Sequence, residues 1–262
     1  MKKNTLKILL STAAPSDRLR PIAAESLHRF VVPNLSKAGL RSLLYLMKEK
    51  GYIKLQSASS QLGAAGGAYV FGQSEGWRSL LAAIPALRPE WSSWQGDWAC
   101  LVFLQAPASD RQFRYLRSFC LNHHYFQLTR GVYLAPTWYL KQTLLELEGV
   151  YRHSIQVLTV GEWVGGDVRE QILEHFDVMG LSTLYSGISN QYQQLLESFV
   201  PKKRLNEQQI KYFRSIFERT HDLLLQDLGL VWYYTNSMRP PLSLVESWQS
   251  LLLLLGEARL DN

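Results

Sequence analysis

Apolar residues recur with a helical period in three segments near the start of the chain. Residues 3–13 and 22–32 are predicted to form two short helices, separated by a stretch that contains Pro15 and Pro21. A third helix is predicted to begin after Ser36, whose hydroxyl suits a helix cap, and to end at Gly51. Its apolar residues follow the spacing i, i+3, i+4, i+7, which buries one face: Leu40, Leu43, Leu44 and Met47.

The third helix is followed by two short apolar and aromatic runs, at residues 52–56 and 69–71. The sequence SASSQLGAAGGA joins them, and glycine-rich stretches of this kind favour the tip of a β-hairpin. Three helices and then a hairpin form the order of a winged helix-turn-helix, in which the third helix enters the major groove of DNA. Residues 73–90 continue as a linking helix and a connector that contains prolines.

The pattern changes near Trp91, from which the chain alternates in the order β-α-β-β-α-β. This order predicts a ferredoxin-like domain of the split βαβ type. From about residue 167 the pattern is helical. The predicted fold class is therefore α+β, with a winged helix-turn-helix domain and linker helix at 1–90, a ferredoxin-like domain at 91–166 and a helical C-terminal domain at 167–262.

The positive charge of the chain is concentrated at one end. Net charge is +6 over 262 residues, but residues 1–54 hold eleven Lys or Arg against three Asp or Glu, a net of +8. The remaining residues carry a net charge of −2. A cationic field confined to one segment indicates that this segment binds a polyanion.

The predicted third helix carries its own cationic stripe. Lys37, Arg41, Tyr45 and Lys48 are spaced by four, four and three residues, so they share one face beside the buried one. Such a stripe is often only a solvated helix face, but its place in the +8 segment and before a hairpin favours contact with double-stranded DNA. The predicted DNA-binding residues are Lys37, Arg41, Ser42, Tyr45, Lys48 and Lys54.

Arg111, Arg114 and Arg117 form a second row on the first helix of the middle domain. They are candidates to bind an anion, either a phosphate of a small-molecule effector or DNA, and the alternative is a solvated helix face. Tryptophans 91, 94, 98 and 138 are predicted to be core residues, with a ligand pocket at a domain junction as the alternative.

Other features narrow the class of protein. Cys100 and Cys120 are too few for a disulfide framework, which indicates a reducing compartment, and we expect a cytoplasmic protein with no membrane partner. Lys7 interrupts the first apolar stretch, which argues against a signal peptide. His123 and His124 are adjacent and lack a suitably spaced Cys or carboxylate, so we predict no metal site. No activated nucleophile is recognisable, and we predict no catalytic residue.

Several stretches, in their order along the chain, resemble the PaaX-type repressors of phenylacetic acid degradation. LRSLLYLMKEKGYIKL resembles the recognition helix and first wing strand, and WQGDWACLVF the tryptophan-rich entry to the central domain. DRQFRYLRSFCLNHHYFQLTRGVYLAP resembles the helix and hairpin that follow, and SMRPPLSLVESW more loosely resembles the C-terminal segment. The resemblance spans most of the chain, is strongest over residues 91–136, and is thin over 167–236.

This resemblance implies a homodimeric repressor with a winged-helix reader, a ferredoxin-like middle and a helical C-terminal domain. The family's repressors leave their operator when an acyl-CoA binds, so an acyl-CoA is the implied small-molecule effector, without any further cofactor. Two departures limit the comparison. The wing here lacks the arginines of the family, and His124, Tyr125 and Phe126 stand where the family has a Gly-Phe-Gly-like turn.

The middle domain also resembles the small nuclease subunit of CRISPR adaptation, which holds a metal with an Asp at the end of its first strand. Gln105 stands at the matching position, and an amide does not replace a carboxylate for a hard cation. Asp97 and Asp110 are predicted to be structural. The alternative function is nevertheless a metal-dependent nuclease or nucleic-acid-processing protein that uses the ferredoxin-like domain. A third is an adaptor that binds DNA without sequence preference.

Overall fold

The computed structural model describes residues 2–13, 21–57, 68–104, 110–151, 153–163, 166, 168–198, 205–235 and 240–256. These residues form an α+β fold with two antiparallel sheets, which agrees with the predicted fold class. It packs as two compact units. We call residues 1–88 together with 179–262 the terminal unit, and residues 89–178 the middle unit. The predicted division into three domains stays a prediction.

The elements of the terminal unit come from both ends of the chain. The N-terminal part contributes α1 (Lys3–Thr12), β1 (Ile22–Ala23), α2 (Ala24–Ser26) with a π-helical turn (Leu27–Val31), α3 (Lys37–Glu49), β2 (Ile53–Ser57), β3 (Ala68–Gly72) and α4 (Ser74–Ala83). The C-terminal part contributes α8 (Val178–Ser198), α9 (Glu207–Gln226), α10 (Leu230–Thr235) and α11 (Pro240–Gly256).

The first sheet of the terminal unit has the strand order β1-β3-β2. Strands β2 and β3 pair antiparallel from Ile53 opposite Gly72 to Ser57 opposite Ala68, as the predicted hairpin requires. The greater part of the predicted hairpin tip, residues 58–67, lies outside the described residues. The hairpin runs close to the end of α1, since a Cβ added to Gly72 would lie 2.0 Å from the Thr12 carbonyl oxygen.

The prediction of one helix over residues 22–32 is wrong at its start. Ile22 and Ala23 are extended and pair with Val70 and Tyr69 of β3, so they add a short third strand to the hairpin. The helix begins only at Ala24 and ends in a π-helical turn, closed by a hydrogen bond from the Val32 N–H to the Leu27 carbonyl. Ile22 is 1% exposed, so burial against β3 stabilises the strand.

Helix α11 fixes α1 through buried polar contacts. Trp248 is fully buried and donates from Nε1 to the Ser11 hydroxyl at 2.9 Å. Gln249 donates from Nε2 to the carbonyls of Leu10, at 2.9 Å, and Ala13, at 2.6 Å. These carbonyls belong to the last turn of α1 and its C-cap, where no intrahelical donor remains. The last helix therefore completes the first.

Helix α9 contacts both α1 and the π-helical turn that ends at Val31. Arg214 donates from Nε to the Arg29 carbonyl at 2.7 Å, and Phe213 packs edge-to-face on Phe30 with ring centroids 6.3 Å apart. Lys7, which is 5% exposed, forms an ion pair with Glu218. The hydrophobic core of the predicted winged helix-turn-helix domain is thus continuous with that of the C-terminal helices.

A buried carboxyl group closes the turn after α9. Asp227 is 2% exposed, its Oδ1 accepts the Gly229 N–H at 2.7 Å, and its Oδ2 accepts the Tyr185 hydroxyl at 2.9 Å. Burial raises the pKa of Asp227 from 3.8 to about 6, although these hydrogen bonds act in the opposite direction. The turn is therefore built around a carboxyl group whose ionisation is disfavoured by burial.

The described part of the middle unit contains one short 3₁₀ turn (Pro89–Ser92) and six elements in the predicted order β-α-β-β-α-β, followed by one further helix. They are β4 (Trp98–Phe103), α5 (Asp110–Asn122), β5 (Phe126–Thr129), β6 (Val132–Pro136), α6 (Thr137–Tyr151), β7 (Ile155–Val160) and α7 (Val168–His175). The strand order is β5-β6-β4-β7, and every neighbouring pair is antiparallel. Phe103 of β4 packs on Phe113 of α5 with ring centroids 5.5 Å apart, which places α5 on one face of the sheet.

Four tryptophans form a chain of edge-to-face contacts in the middle unit. Ring centroids are 5.1 Å apart for Trp91 and Trp94, 5.0 Å for Trp91 and Trp138, and 5.6 Å for Trp94 and Trp98. Trp91, Trp94 and Trp98 are buried, as the core interpretation predicts. No helix in the described parts of either unit combines the length and apolar character needed to span a bilayer.

Candidate nucleic-acid interface

The placement of α3 begins with the turn that precedes it. His28 donates from Nε2 to the Leu35 carbonyl at 2.8 Å, which ties the end of the preceding helix to the residue before the cap. The Ser36 hydroxyl accepts the Gly39 N–H at 3.0 Å, as its sequence position predicts. At the other end Gly51 adopts a φ of 70°, a left-handed conformation that glycine tolerates and that ends helices.

One side of α3 is buried and another is open. Leu40, Leu44 and Met47 pack inward, each 5% exposed or less. Leu43, the fourth predicted core residue of this helix, is only half-buried. The predicted DNA-contacting residues of the helix are all exposed: Lys37, Arg41, Ser42, Tyr45 and Lys48. The Tyr45 side chain is 58% exposed, so its ring is accessible to a partner.

The cations of the stripe are not neutralised within the described part of the chain. No described carboxylate lies within 4.0 Å of the nitrogen atoms of Lys37, Arg41 or Lys48. By contrast, Lys3 and Lys7 of α1 are paired with Glu218 of α9. Much of the fixed charge of the first helix is therefore used internally, whereas the charge of α3 faces outward.

Lys54 extends the cationic surface onto the hairpin. It is exposed on β2, opposite Phe71 of β3, and follows α3 after a turn of three residues. Within the described residues, Lys54 has no carboxylate partner within ion-pair distance. A cationic helix with a cationic strand beside it provides ammonium and guanidinium donors for phosphate and for guanine edges.

The second predicted anion row lies on α5 of the middle unit. Arg111, Arg114 and Arg117 are all exposed. Helical residues three apart rotate by about 60° from one to the next, so these side chains spiral around α5 and do not converge on one point. Tyr115, between them, is 56% exposed and stacks on Tyr151 with ring centroids 6.0 Å apart. An anion site here stays a prediction.

The residues considered for metal chemistry do not form a cluster in the described structure. No group of three or more His, Cys, Asp or Glu side chains is placed to hold a metal ion among the described residues. Gln105 lies outside them, as does the Asp110 side chain. The Asp97 side chain is exposed, and its backbone carbonyl accepts Trp94 Nε1 at 2.8 Å and the Thr137 N–H at 3.1 Å. Asp97 thus has a structural role through its backbone.

His124 and the two cysteines are poorly placed for chemistry. Burial and the neighbouring His123 lower the pKa of His124, which disfavours an imidazolium there. Burial raises the pKa of the Cys120 thiol to about 12 and also raises the pKa of Cys100, so both thiols are poor nucleophiles.

Two features of this surface escape sequence reasoning. His28 reads as one of several scattered histidines, and only the folded turn reveals that it holds Leu35. Leu46 of α3 is 58% exposed, although its apolar side chain favours burial. The exposure of Leu46 has one signal in the sequence, since this leucine lies outside the spacing of the buried residues that begins at Leu40.

Comparisons with known proteins add little. No family model matches the chain, and no curated protein matches it. Among solved structures, the chain is similar to uncharacterized protein Rv0674 from Mycobacterium tuberculosis, with 16% sequence identity and a TM-score of 0.45 over 98% of this chain and 97% of that chain. A likeness at this TM-score carries no assignment of fold or function.

Proposed function

We propose that this protein is a DNA-binding transcription regulator of the PaaX type that reads duplex DNA with α3. One observation carries the proposal: an exposed row of cationic and aromatic side chains on a capped helix, without described carboxylate partners. Arg41 and Lys37 are assigned to base edges and phosphates, Tyr45 to a phosphate or a thymine methyl group, and Lys54 to the flanking backbone. The proposal includes no catalytic step.

The finer architecture belongs to the same proposal. The N-terminal helices with β2 and β3 act as a winged helix-turn-helix, and the element and strand order of the middle unit supports a ferredoxin-like domain. The protein acts as a homodimeric repressor in the cytoplasm, released by a small-molecule effector such as an acyl-CoA. Two α3 helices in a dimer would read half-sites about 34 Å apart, or a multiple of that spacing.

The first experiment identifies the DNA. Fragments selected from a genomic library by the purified protein are footprinted, and two protected half-sites are expected. Equal retention of random DNA would favour an adaptor that binds without sequence preference.

Substitutions in α3 test the assignment of the surface. R41A is expected to weaken specific binding by about 1–3 kcal/mol if the guanidinium reads a base, whereas K37A is expected to reduce the slope of log K against log salt by about 1. K141A is the matched control, since Lys141 is an exposed cation on α6 of the middle unit. Unchanged binding by both α3 variants, or an equal loss in K141A, would refute the role of this helix.

A further inference from the structure

A surface groove lies behind the cationic stripe, where α1, α3 and α4 meet. It has a volume of about 600 Å³, which is within the range of small-molecule sites. Leu43, Leu46 and Met47 of α3 form one wall, and Ala82 and Ala83 of α4 form another. The groove lies within the terminal unit and shares with the stripe only the helix α3.

The walls of the groove are apolar and partly open to solvent. Leu46 is 58% exposed and Leu43 is half-buried, so α3 presents leucine side chains that the described protein does not cover. The facing alanines are small, which leaves the space between the helices unfilled. An apolar ligand that displaces water from this surface lowers the free energy, because apolar area is removed from water.

Two ammonium groups line the same groove. Lys2, before α1, and Lys50, at the C-cap of α3, are both exposed lining residues. Neither has a described carboxylate within ion-pair distance. The Lys50 Nζ lies 5.9 Å from the centroid of the Tyr52 ring, which also lines the groove. Cations without a described carboxylate partner, beside an apolar wall, complement a ligand that is anionic at one end.

We propose that this groove binds a small amphiphilic anion, with an apolar body against Leu43 and Leu46 and a carboxylate or phosphate group held by Lys2 and Lys50. Charge complementarity selects this occupant over a neutral or cationic one. The groove is distinct from the DNA surface, because Lys37, Arg41 and Lys48 do not line it. Binding here therefore requires no assumption about DNA.

The probes are four ligands with a ten-carbon chain, titrated into the full-length protein by calorimetry below their micelle concentrations. Sodium decanoate and decyl phosphate test the two anionic head groups. Decan-1-ol removes the charge, and decyltrimethylammonium reverses it. Saturable binding of at least one anion, at least tenfold tighter than decan-1-ol and decyltrimethylammonium, is the expected result; equal binding of all four would overturn the proposal.

Variants place the ligand in the groove. K50A is expected to weaken anion binding by about two- to fivefold, and L46D by more than tenfold, because it puts a carboxylate on the apolar wall. The matched controls are K48A, an exposed lysine of the same helix outside the groove, and L145D, a leucine 73% exposed on α6. Both controls are expected to bind the anionic ligands with the affinity of the wild type.

The remaining outcomes count against the site. Equal loss in K48A and K50A would mean that the anion follows the general charge of α3. A change of oligomeric state in L46D, measured by sedimentation, with no effect on decanoate affinity would mean that a second copy of the chain covers the groove. A melting temperature for each variant within a few degrees of the wild type ensures that loss of binding is not loss of fold.

Discussion

Replacing Asp227 by asparagine tests whether a buried carboxyl group limits the stability of the terminal unit. The pKa of Asp227 is raised from 3.8 to about 6, chiefly by burial. Below pH 3.8 the group is neutral in both the folded and the unfolded chain, so it has no effect on the difference between them. Between pH 3.8 and 6 only the unfolded chain ionises freely, so stability falls as pH rises, and above pH 6 the folded state carries the full cost of a buried charge.

The size of this cost follows from the shift. About two pKa units at 1.36 kcal/mol each correspond to about 3 kcal/mol. The carboxamide that D227N introduces would have nearly the same shape as the carboxyl group. Its oxygen would still accept the Gly229 N–H, and its nitrogen would donate to the Tyr185 hydroxyl oxygen. We therefore expect D227N to be more stable than the wild type by up to about 3 kcal/mol above pH 6.5, and by little near pH 4.

Urea unfolding at half-unit steps from pH 4 to pH 8, followed by tryptophan fluorescence, measures this difference. Other acidic groups titrate in the same range, but they are common to both proteins and cancel in the comparison. Y185F is the second variant: it removes a donor to Asp227, so the contribution of Asp227 to the pH dependence is expected to persist in Y185F and to be absent from Y185F/D227N. A loss of stability in D227N that grows as pH rises would refute the reasoning, because it would mean that charge-assisted hydrogen bonds outweigh the cost of burial.

Three further predictions concern the terminal unit. G72A is expected to destabilise the protein by about 2 kcal/mol or more, because the added Cβ would meet the backbone of Thr12. G187A is expected to stabilise the protein by up to about 1 kcal/mol, because Gly187 is an exposed position of α8 with open space around it. Urea unfolding measures both differences. H28A is expected to weaken specific DNA binding through loss of the bond to Leu35 without changing the salt slope, and a changed slope would mean that His28 meets phosphate. A fragment of residues 1–88 is expected to lack cooperative thermal unfolding by circular dichroism, and a sharp transition would show that it folds without α9 and α11.

Local signals in the sequence predict much of the fold. Helix α3 has a cap at Ser36, an apolar spacing and a terminating glycine, all within sixteen residues, and the structure has that helix. The six elements of the middle unit follow from runs of alternating or helical period. The exposure of the stripe also follows, because residues three or four apart share a helix face.

What the sequence does not predict depends on distant partners. Ile22 and Ala23 become a strand only because β3 lies beside them, and a strand of two residues has no pattern of its own. The packing of Trp248 on Ser11 joins residues 237 positions apart, and amphipathic helices do not specify which apolar face they will meet. The groove requires three elements to converge, so Leu46 and Lys50 read separately as an exposed leucine and a surface cation.

The burial of α1 beneath α11 has a consequence for biosynthesis. Leu9 and Leu10 are fully buried in the folded protein, but the helix that supplies Trp248 and Gln249 begins only at residue 240. At about 5–20 residues per second, roughly 8–30 s separate translation of residue 88 from that of residue 240. During this interval α1 lacks the cover that α11 supplies in the folded protein, so part of its apolar surface stays exposed on the nascent chain.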